Sequence, residues 1–334
     1  MSWRLGAFLA VLIAGGLAAA AATVDLPVKT ADWQAGLARH GRLVRLSYGR
    51  RINLRCSGRG SPTVLLESGF GASSSAWGKV QPQVAAMTRV CSYDRAGYGF
   101  SDLGPLPRDG AAIARDLDRT LKAANIRGPY VVVGHSAGGL YARLFAARRL
   151  HETAGLVFVD TSIEHQDQRM AEVFGPGAGS VGGIHRRVAR CLEATTARRI
   201  ASAADDYAAC VPKTGGLHAR MVALRPGTWR TQLSEIDTLF ADTSDEVERI
   251  GGLLKDVPAI VLTASPTGVA AGPEDPGAAV WQGLHRDLAR SFLKSDQRIV
   301  KSGHLIMNER PAVVTAAILE LVAANRPRPA AAQP

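Results

Sequence analysis

Three features that identify other classes of protein are missing from this 334-residue sequence. Beyond the N-terminal segment, no stretch of about 18 residues is apolar throughout, so the chain offers no second candidate for a membrane-spanning helix. The net charge is +11, yet lysines and arginines form no block of five, which argues against nucleic-acid binding. There is no H-E-x-x-H motif and no pair of C-x-x-C motifs, so we expect no metal site.

The N-terminal segment reads MSWRLGAFLAVLIAGGLAAAAATVDLP, with one arginine before an apolar run that ends in alanines. That order is typical of a secretory signal peptide, cleaved here near Ala20 to Ala22. The apolar core is short and rich in alanine for a spanning helix. We therefore predict export to the periplasm or the medium. The alternative is a protein held at the membrane by an uncleaved N-terminal segment.

Continuous apolar segments alternate with helical periodicity along most of the chain. TVLLE, YVVVGH and LVFVD are apolar almost throughout, which indicates strands of a parallel sheet covered by helices on both faces. LVRLSYGRRINLRCSG, with a glycine in its middle, predicts a hairpin of two strands. From residue 161 to 252 the pattern changes to helical stretches, which predicts an inserted helical segment.

These patterns divide the chain into five parts. They are a signal peptide (1–22), the first part of an α/β core (23–160), a helical cap (161–252), the second part of the core (253–325) and a disordered tail (326–334). Strand patterns return after the insertion in VPAIVLTAS and QRIVKSGH, so we expect both parts of the core to build one sheet.

The residues Gly134 to Gly138 read GHSAG, between an apolar strand and a helical pattern. In that context G-x-S-x-G indicates a nucleophile elbow, a strained turn that projects the serine hydroxyl above the sheet. Side chains at the two glycine positions would collide with the neighbouring strand and helix. Ser136 is therefore the candidate nucleophile, and a purely structural turn is the alternative.

The sequence resembles the α/β-hydrolase family in ESGFG, YDRAGYGFSD, GHSAGG, LVFVDTS and SGH, and the resemblance covers nearly the whole mature chain. It looks most similar to exported bacterial hydrolases of that fold. The resemblance implies a mostly parallel eight-stranded sheet with helices on both faces and an inserted helical cap. Because residue 136 is serine, the halide- and epoxide-cleaving branches, which use aspartate there, fit poorly.

The resemblance also implies the partners of the serine, in the order serine, acid, histidine. His304, in SGH directly after the last apolar strand, matches the position of the family's histidine. Asp160, at the end of LVFVD, is the candidate acid, as in some branches. Most members carry the acid after the following strand, where this chain offers Glu274 and Asp275, and these two stay open as alternatives.

An oxyanion hole is implied by the same resemblance, with the backbone N–H groups of Phe70 and Ala137 as donors. Many relatives have His-Gly where this chain has Ser68-Gly69. That departure keeps the backbone donor and changes what braces its loop. The segment YDRAGYGFSD organises loops near the site in the family, and we expect it to be structural here.

Cysteine is scarce, with four residues in the whole chain. Disulfides persist in exported proteins, but four cysteines allow three pairings, and the residues alone do not choose among them. The topology implied by the resemblance makes the strands of Cys56 and Cys91 neighbours and leaves the other two cysteines in the insertion. It therefore implies Cys56–Cys91 and Cys191–Cys210 disulfides.

We predict a serine hydrolase that cleaves a carboxylic ester of a small molecule through an acyl-enzyme on Ser136, without a cofactor. Amidase, lactonase, carbon–carbon hydrolase and cofactor-free perhydrolase activities are the alternatives on the same residues. A ligand-binding module that has lost catalysis is the alternative outside enzymes. Met221, Trp229 and Phe240 in the insertion favour an apolar substrate group, unless they only pack the cap against the core.

Overall fold

The structure is a computed structural model, and it describes residues 41–175, 181–198, 204–213, 216–268, 270–272 and 275–326. Residues 1–22, predicted to be a signal peptide, lie outside the described residues. So do Glu274 and residues 327–334 of the predicted tail.

The described residues form one eight-stranded sheet in the order β1-β2-β4-β3-β5-β6-β7-β8. The strands are β1 (Arg42–Arg45), β2 (Arg51–Ser57), β3 (Thr63–Glu67), β4 (Val90–Tyr93), β5 (Tyr130–His135), β6 (Thr153–Val159), β7 (Ala259–Ser265) and β8 (Ser295–Lys301). The hairpin β1–β2 and the pair β2–β4 are antiparallel, and all other pairs are parallel. The predicted fold class is confirmed.

Helices follow most of the parallel strands. They are α1 (Gln81–Ala85), α2 (Gly110–Ala123), α3 (Gly138–Arg148), α4 (Gln166–Phe174), α5 (Val181–Thr196), α6 (Ala204–Cys210), α7 (Gly216–Ala223), α8 (Pro226–Leu239), α9 (Asp242–Ile250), α10 (Pro276–Arg290), α11 (Ile306–Glu309) and α12 (Pro311–Ala324). Local sequence explains where two of these helices begin. Asp109 caps α2 by accepting the N–H of Ala112 at 2.6 Å, and Pro311 occupies the first turn of α12.

The sheet separates two apolar cores, and alternate residues of a strand enter opposite ones. Val132 of β5 joins the core that includes Leu117 of α2, whereas Val131 joins the core that includes Ile318 of α12. Both faces of the central strands are therefore buried, as their continuous apolar sequence requires. None of the described helices is both long and apolar enough to cross a lipid bilayer.

The segment between β6 and β7 is helical where it is described, with α4 to α9. It contains a small apolar cluster of its own, in which Val188, Ala194 and Trp229 surround two cysteines. The indole N–H of Trp229 donates to the carbonyl of Ala223 at 2.7 Å. Trp229 packs in this cluster and Phe240 packs against the main core, in agreement with the alternative that they pack the insertion.

Two disulfide bonds are present, Cys56–Cys91 and Cys191–Cys210, and no cysteine is free. The first joins the paired strands β2 and β4, in which the two cysteines lie opposite each other. The second joins α5 to α6 inside the small apolar cluster of the insertion. These are the two pairings that the family resemblance implied.

Candidate active site

Ser136 occupies the turn between β5 and α3. It has a φ of +52°, a left-handed conformation that side chains other than glycine adopt rarely. From residue 130 to 146, Ser136 is the one position that is not fully buried. The backbone therefore holds this serine in a strained conformation that exposes it at the carboxyl edge of the sheet.

Three glycines make room for this turn. A Cβ on Gly134 would lie 2.6 Å from the carbonyl oxygen of Gly138, and one on Gly138 would lie 2.6 Å from that of Glu67. A Cβ on Gly69 would lie 2.9 Å from the Cβ of Ser136. Contacts this short are forbidden, so the close approach of the turn, α3 and the loop after β3 requires glycine at all three positions.

Asp160 follows β6, and it also has a positive φ, of +44°. Its Oδ2 lies 2.7 Å from Nδ1 of His304. Its Oδ1 accepts two hydrogen bonds, from the backbone N–H of Ala264 and from the indole N–H of Trp281, both at 2.8 Å. Burial alone would raise the pKa of Asp160, but these three donors keep it below the ordinary value, and the carboxyl group stays ionised.

His304 lies in the loop between β8 and α11, where its half-exposed side chain is close to the turn of Ser136. The link is His135, whose Nε2 lies 3.1 Å from the carbonyl oxygen of His304 and whose ring centroid lies 4.7 Å from that of His304. Burial lowers the pKa of His135 to about 4, so its ring is neutral. The neutral ring donates its Nε2–H to the His304 carbonyl and thereby fixes the backbone of that loop.

Asp275 and Glu274 were the alternative candidates for the acid. Asp275 caps α10, where its Oδ1 accepts the N–H of Ala278 at 3.0 Å. Glu274 is not among the described residues. Of the three carboxylates considered from the sequence, Asp160 is the one that the structure brings into contact with His304.

The two candidate oxyanion donors, the N–H groups of Phe70 and Ala137, lie in the loop after β3 and at the start of α3. Neither is paired with a protein acceptor within the described part of the chain. Ala137 is buried and Phe70 is half-buried, and a buried N–H group is normally paired, so these two N–H groups near the strained serine are available to an oxygen atom of a ligand.

Beneath the loop after β3 lies a buried cluster of charges, the Arg95 cluster, made of Glu67, Arg95 and Glu235 with Tyr93 and Tyr141. Arg95 bonds Glu67 at 2.9 Å and Glu235 at 3.0 Å, and all three residues are at most 3% exposed. Tyr93 donates to Glu67, and Tyr141 donates to Glu235 at 3.1 Å. Burial raises the pKa of Glu67 to about 7, although Arg95 and Tyr93 act in the opposite direction.

The sequence did not reveal Trp281 and His285, which support Asp160 from α10. The buried ring of His285 lies 2.8 Å from both the hydroxyl of Thr263 and the carbonyl of Thr161, and its centroid is 4.7 Å from the ring of Trp281. The two residues are four apart and so share a helix face. The spacing of Trp281 and His285 does not indicate which carboxylate they would lie beside.

We expect Trp281→Phe to lower kcat for whatever reaction uses Asp160 by about 10-fold, because one hydrogen bond to a carboxylate is worth ~1.5 kcal/mol or more. Phenylalanine keeps most of the packing and removes only the donor. Steady-state kinetics is the measurement. The matched control is Trp77→Phe, since Trp77 is fully buried in the opposite core and its indole N–H has no acceptor among the described residues. Equal losses in both variants would contradict the role given to Trp281.

Glu67 should make stability depend on pH. The folded state keeps its proton up to about pH 7, whereas an unfolded chain releases it near pH 4.5. The stabilisation is therefore complete below pH 4.5 and is lost as pH rises through 7, over a range of roughly 3 kcal/mol at 1.36 kcal/mol per pKa unit. In Glu67→Gln this dependence disappears, because glutamine does not titrate. Urea unfolding of both proteins from pH 4.5 to 8 measures the difference, and a difference that stays constant with pH would refute the prediction.

One group of possible metal ligands occurs among the described residues. Nε2 of His165 lies 3.3 Å from a carboxylate oxygen of Glu248 and 3.8 Å from one of Asp245. Both acidic residues are exposed, on α9. Only the contact with Glu248 is within hydrogen-bond distance, and three ligand atoms of which two are on exposed carboxylates do not by themselves define a metal site.

The eight-stranded sheet and the strand–serine–helix turn have the architecture of the α/β-hydrolase fold. The sequence matches the family described as Alpha/beta hydrolase family over residues 64–317, which is more than half of the chain. The chain belongs to this family.

Individual relatives match shorter stretches of the chain than the family does. The chain is 34% identical over 155 residues to a protein named "Probable transporter efuK" of Hormonema carpetanum, covering 44% of this chain and 21% of that one. It is 30% identical over 113 residues to an AB hydrolase superfamily protein of Gibberella zeae, covering 33% and 35%. Thus the chain spans well under half the length of both relatives. A thermophilic esterase from Thermogutta terrifontis has a similar fold, with a TM-score of 0.58, 20% identity and coverage of 85% and 99%.

Proposed function

We propose that this protein is a serine hydrolase that cleaves a carboxylic ester through an acyl-enzyme on Ser136. The observation that carries the proposal is the strained, partly exposed Ser136 on the strand–helix turn, next to a histidine whose Nδ1 is bonded to a buried carboxylate. A serine hydroxyl is a weak nucleophile until a base removes its proton, and His304 is the base within this arrangement.

The proposed reaction has two halves. Asp160 holds the Nδ1–H of His304, which leaves Nε2 free to accept the proton of Ser136 as its oxygen attacks the ester carbonyl. The N–H groups of Phe70 and Ala137 stabilise the developing oxyanion, and His304 then protonates the departing alcohol. Water, deprotonated by His304, attacks the acyl-enzyme, and the proton returns to Ser136 as the acid leaves.

Asp160 suits its proposed part because its charge is secured by three donors. A buried carboxylate that stays ionised stabilises the positive charge that His304 acquires when it takes the proton. The side chain of His304 is half exposed, so its imidazole is not sealed from solvent by the protein.

The experiment that tests the proposal is acylation of the purified protein by short-chain and long-chain p-nitrophenyl esters. We expect a burst of p-nitrophenol equal to the amount of enzyme, and an acyl group on the peptide that contains Ser136 in the acid-quenched protein. Matched p-nitroanilides and lactones, and peroxide with a carboxylic acid, test the alternative activities. Bound ester without turnover or adduct would instead indicate a ligand-binding module.

We also propose that the protein is exported and that residues 161–252 act as a lid over the site. Two disulfide bonds support export, because such bonds persist in oxidising compartments. Fractionation of expressing cells, with N-terminal sequencing of the product, tests export. Cleavage near Ala20 to Ala22 is expected, and an intact N-terminus in the membrane fraction would favour the anchored alternative.

A further inference from the structure

Arg95 lies directly beneath the loop that carries the proposed oxyanion donor Phe70. Its Nη1 donates to the carbonyl oxygen of Ser68 at 2.5 Å, and its Nη2 donates to that of Gly69 at 2.8 Å. The two nitrogens also bond the carboxylates of Glu67 and Glu235. The guanidinium group therefore holds the backbone of this loop from below, in a site with almost no solvent.

The carbonyl of Gly69 and the N–H of Phe70 belong to the same peptide group. A trans peptide group is planar, with its C=O and N–H pointing in opposite directions. Fixing the oxygen of Gly69 therefore fixes the direction of the Phe70 N–H. A cationic donor on the oxygen also polarises the group and makes the N–H a stronger donor.

This peptide needs such a restraint, because glycine stands on both sides of Phe70. At position 69 a Cβ would lie 2.9 Å from the Cβ of Ser136, so glycine is required there, and Gly71 has a φ of +72°. Glycine permits many backbone conformations, so the segment has little rigidity of its own. Two further bonds within the segment run from the N–H of Ala72 to the carbonyl of Gly69 at 3.2 Å and from the hydroxyl of Ser68 to the carbonyl of Ser73 at 3.0 Å.

Arg95 is itself anchored by the insertion. Glu235 lies on α8, is 1% exposed, and accepts from both Arg95 and Tyr141. The rings of Tyr98 and Tyr141 lie 4.7 and 5.3 Å from the guanidinium carbon. Only a planar group with several fixed donors can bond two carbonyls and two carboxylates at once, which lysine cannot do.

We propose that Arg95, anchored by Glu235, is a positioning residue that aims the Phe70 N–H at the oxyanion. The inference rests on the proposed ester hydrolysis. It implies that α8 of the insertion takes part in transition-state stabilisation without touching the substrate, through Glu235 and Arg95. It also explains how the loop is held although this chain has Ser68-Gly69 where many relatives have His-Gly. Here an arginine beneath the loop holds its backbone.

The test compares an ester with its thionoester, in which sulfur replaces the carbonyl oxygen. Sulfur accepts hydrogen bonds weakly, so the thionoester gains little from an oxyanion hole. For Arg95→Lys we expect kcat on the ester to fall by about 10²-fold, as when one oxyanion donor is lost, with a much smaller change in KM. The ester-to-thionoester ratio of kcat/KM should fall nearly as much. Glu235→Gln, which keeps the shape of the anchor, should change the ratio in the same direction by less.

Arg108→Lys is the matched control. Arg108 is as buried as Arg95 and pairs with Asp116 at 2.9 Å, but none of its bonds among the described residues reaches the loop after β3. It should lose stability without any change in the ester-to-thionoester ratio. Thermal unfolding of all variants shows which are folded at the assay temperature, and Glu235→Gln decides the case if Arg95→Lys does not fold.

Two failures are distinguishable. If wild type and Ser136→Ala turn over the ester equally, the proposed function is wrong. If turnover depends on Ser136 but the folded Arg95 and Glu235 variants lose ester and thionoester activity in equal proportion, or keep both, the hydrolase stands and the positioning role of Arg95 is overturned.

Discussion

Ser136→Ala is expected to lower kcat for p-nitrophenyl ester hydrolysis by roughly 10⁶-fold, the loss seen when a triad nucleophile is removed. Alanine keeps the Cβ and the turn, so the substitution removes the attacking oxygen and little else. Residual activity of about 10³-fold over the uncatalysed reaction should remain, since the oxyanion donors and the binding surface are intact. Initial rates at saturating ester, with titration of active sites in wild type, measure the loss.

The matched control for this variant is Ser162→Ala. Ser162 is a buried serine at the same edge of the sheet, and its backbone N–H bonds the carbonyl of Ser136 at 2.9 Å. The substitution preserves that N–H, so no comparable loss is expected. If Ser136→Ala retained the wild-type rate, the nucleophile would have to be sought elsewhere, and the ligand-binding alternative would become the better interpretation.

Asp160→Asn is expected to lower kcat by about 10⁴-fold, because it reverses the hydrogen bonding of His304. Two N–H donors, from Ala264 and Trp281, face one oxygen of Asp160. In the variant they select the amide oxygen for that position, so the amide NH₂ group faces Nδ1 of His304. Nδ1 must then accept, the proton moves to Nε2, and the base can no longer take a proton from Ser136.

Asp275→Asn is the control for that variant and decides between the two described carboxylates. Asp275 caps α10, and asparagine caps a helix as well as aspartate does, so both rate and stability should be nearly unchanged. A large loss in Asp275→Asn with an active Asp160→Asn would move the acid to the loop before α10. Circular dichroism of each variant confirms that a lost rate is not a lost fold.

The fold was predictable because its signals are local. Continuous apolar segments such as YVVVGH show that a strand is buried on both faces, and the GHSAG turn joins such a strand to a helix. The order of the strands and the bonding of Asp160 depend on contacts between distant segments. Sequence left Asp160 undecided against Glu274 and Asp275 because a carboxylate at a strand end has the same local pattern whether or not a histidine reaches it.

The supporting residues of the site were predicted only in part. Arg95 lies in YDRAGYGFSD, which the family resemblance indicated as a segment that organises loops near the site, but Trp281 and Glu235 have the pattern of ordinary helical residues. Each gains its part only when separate segments meet, as Arg95 and Glu235 do across 140 positions of sequence. Their roles follow from burial and bonding geometry, neither of which is encoded in short-range spacing.

The edge position of β8 has a consequence for the order of assembly during folding. His304 follows this strand, which pairs with β7 alone in the described sheet, and it meets Asp160 across 144 residues. A contact that closes so long a loop is expected to form late in folding, because the entropy cost of closing the loop comes before the stabilisation that the contact provides. Ester hydrolysis recovered during refolding would therefore time the arrival of the final strand, while backbone signals time the collapse of the earlier ones.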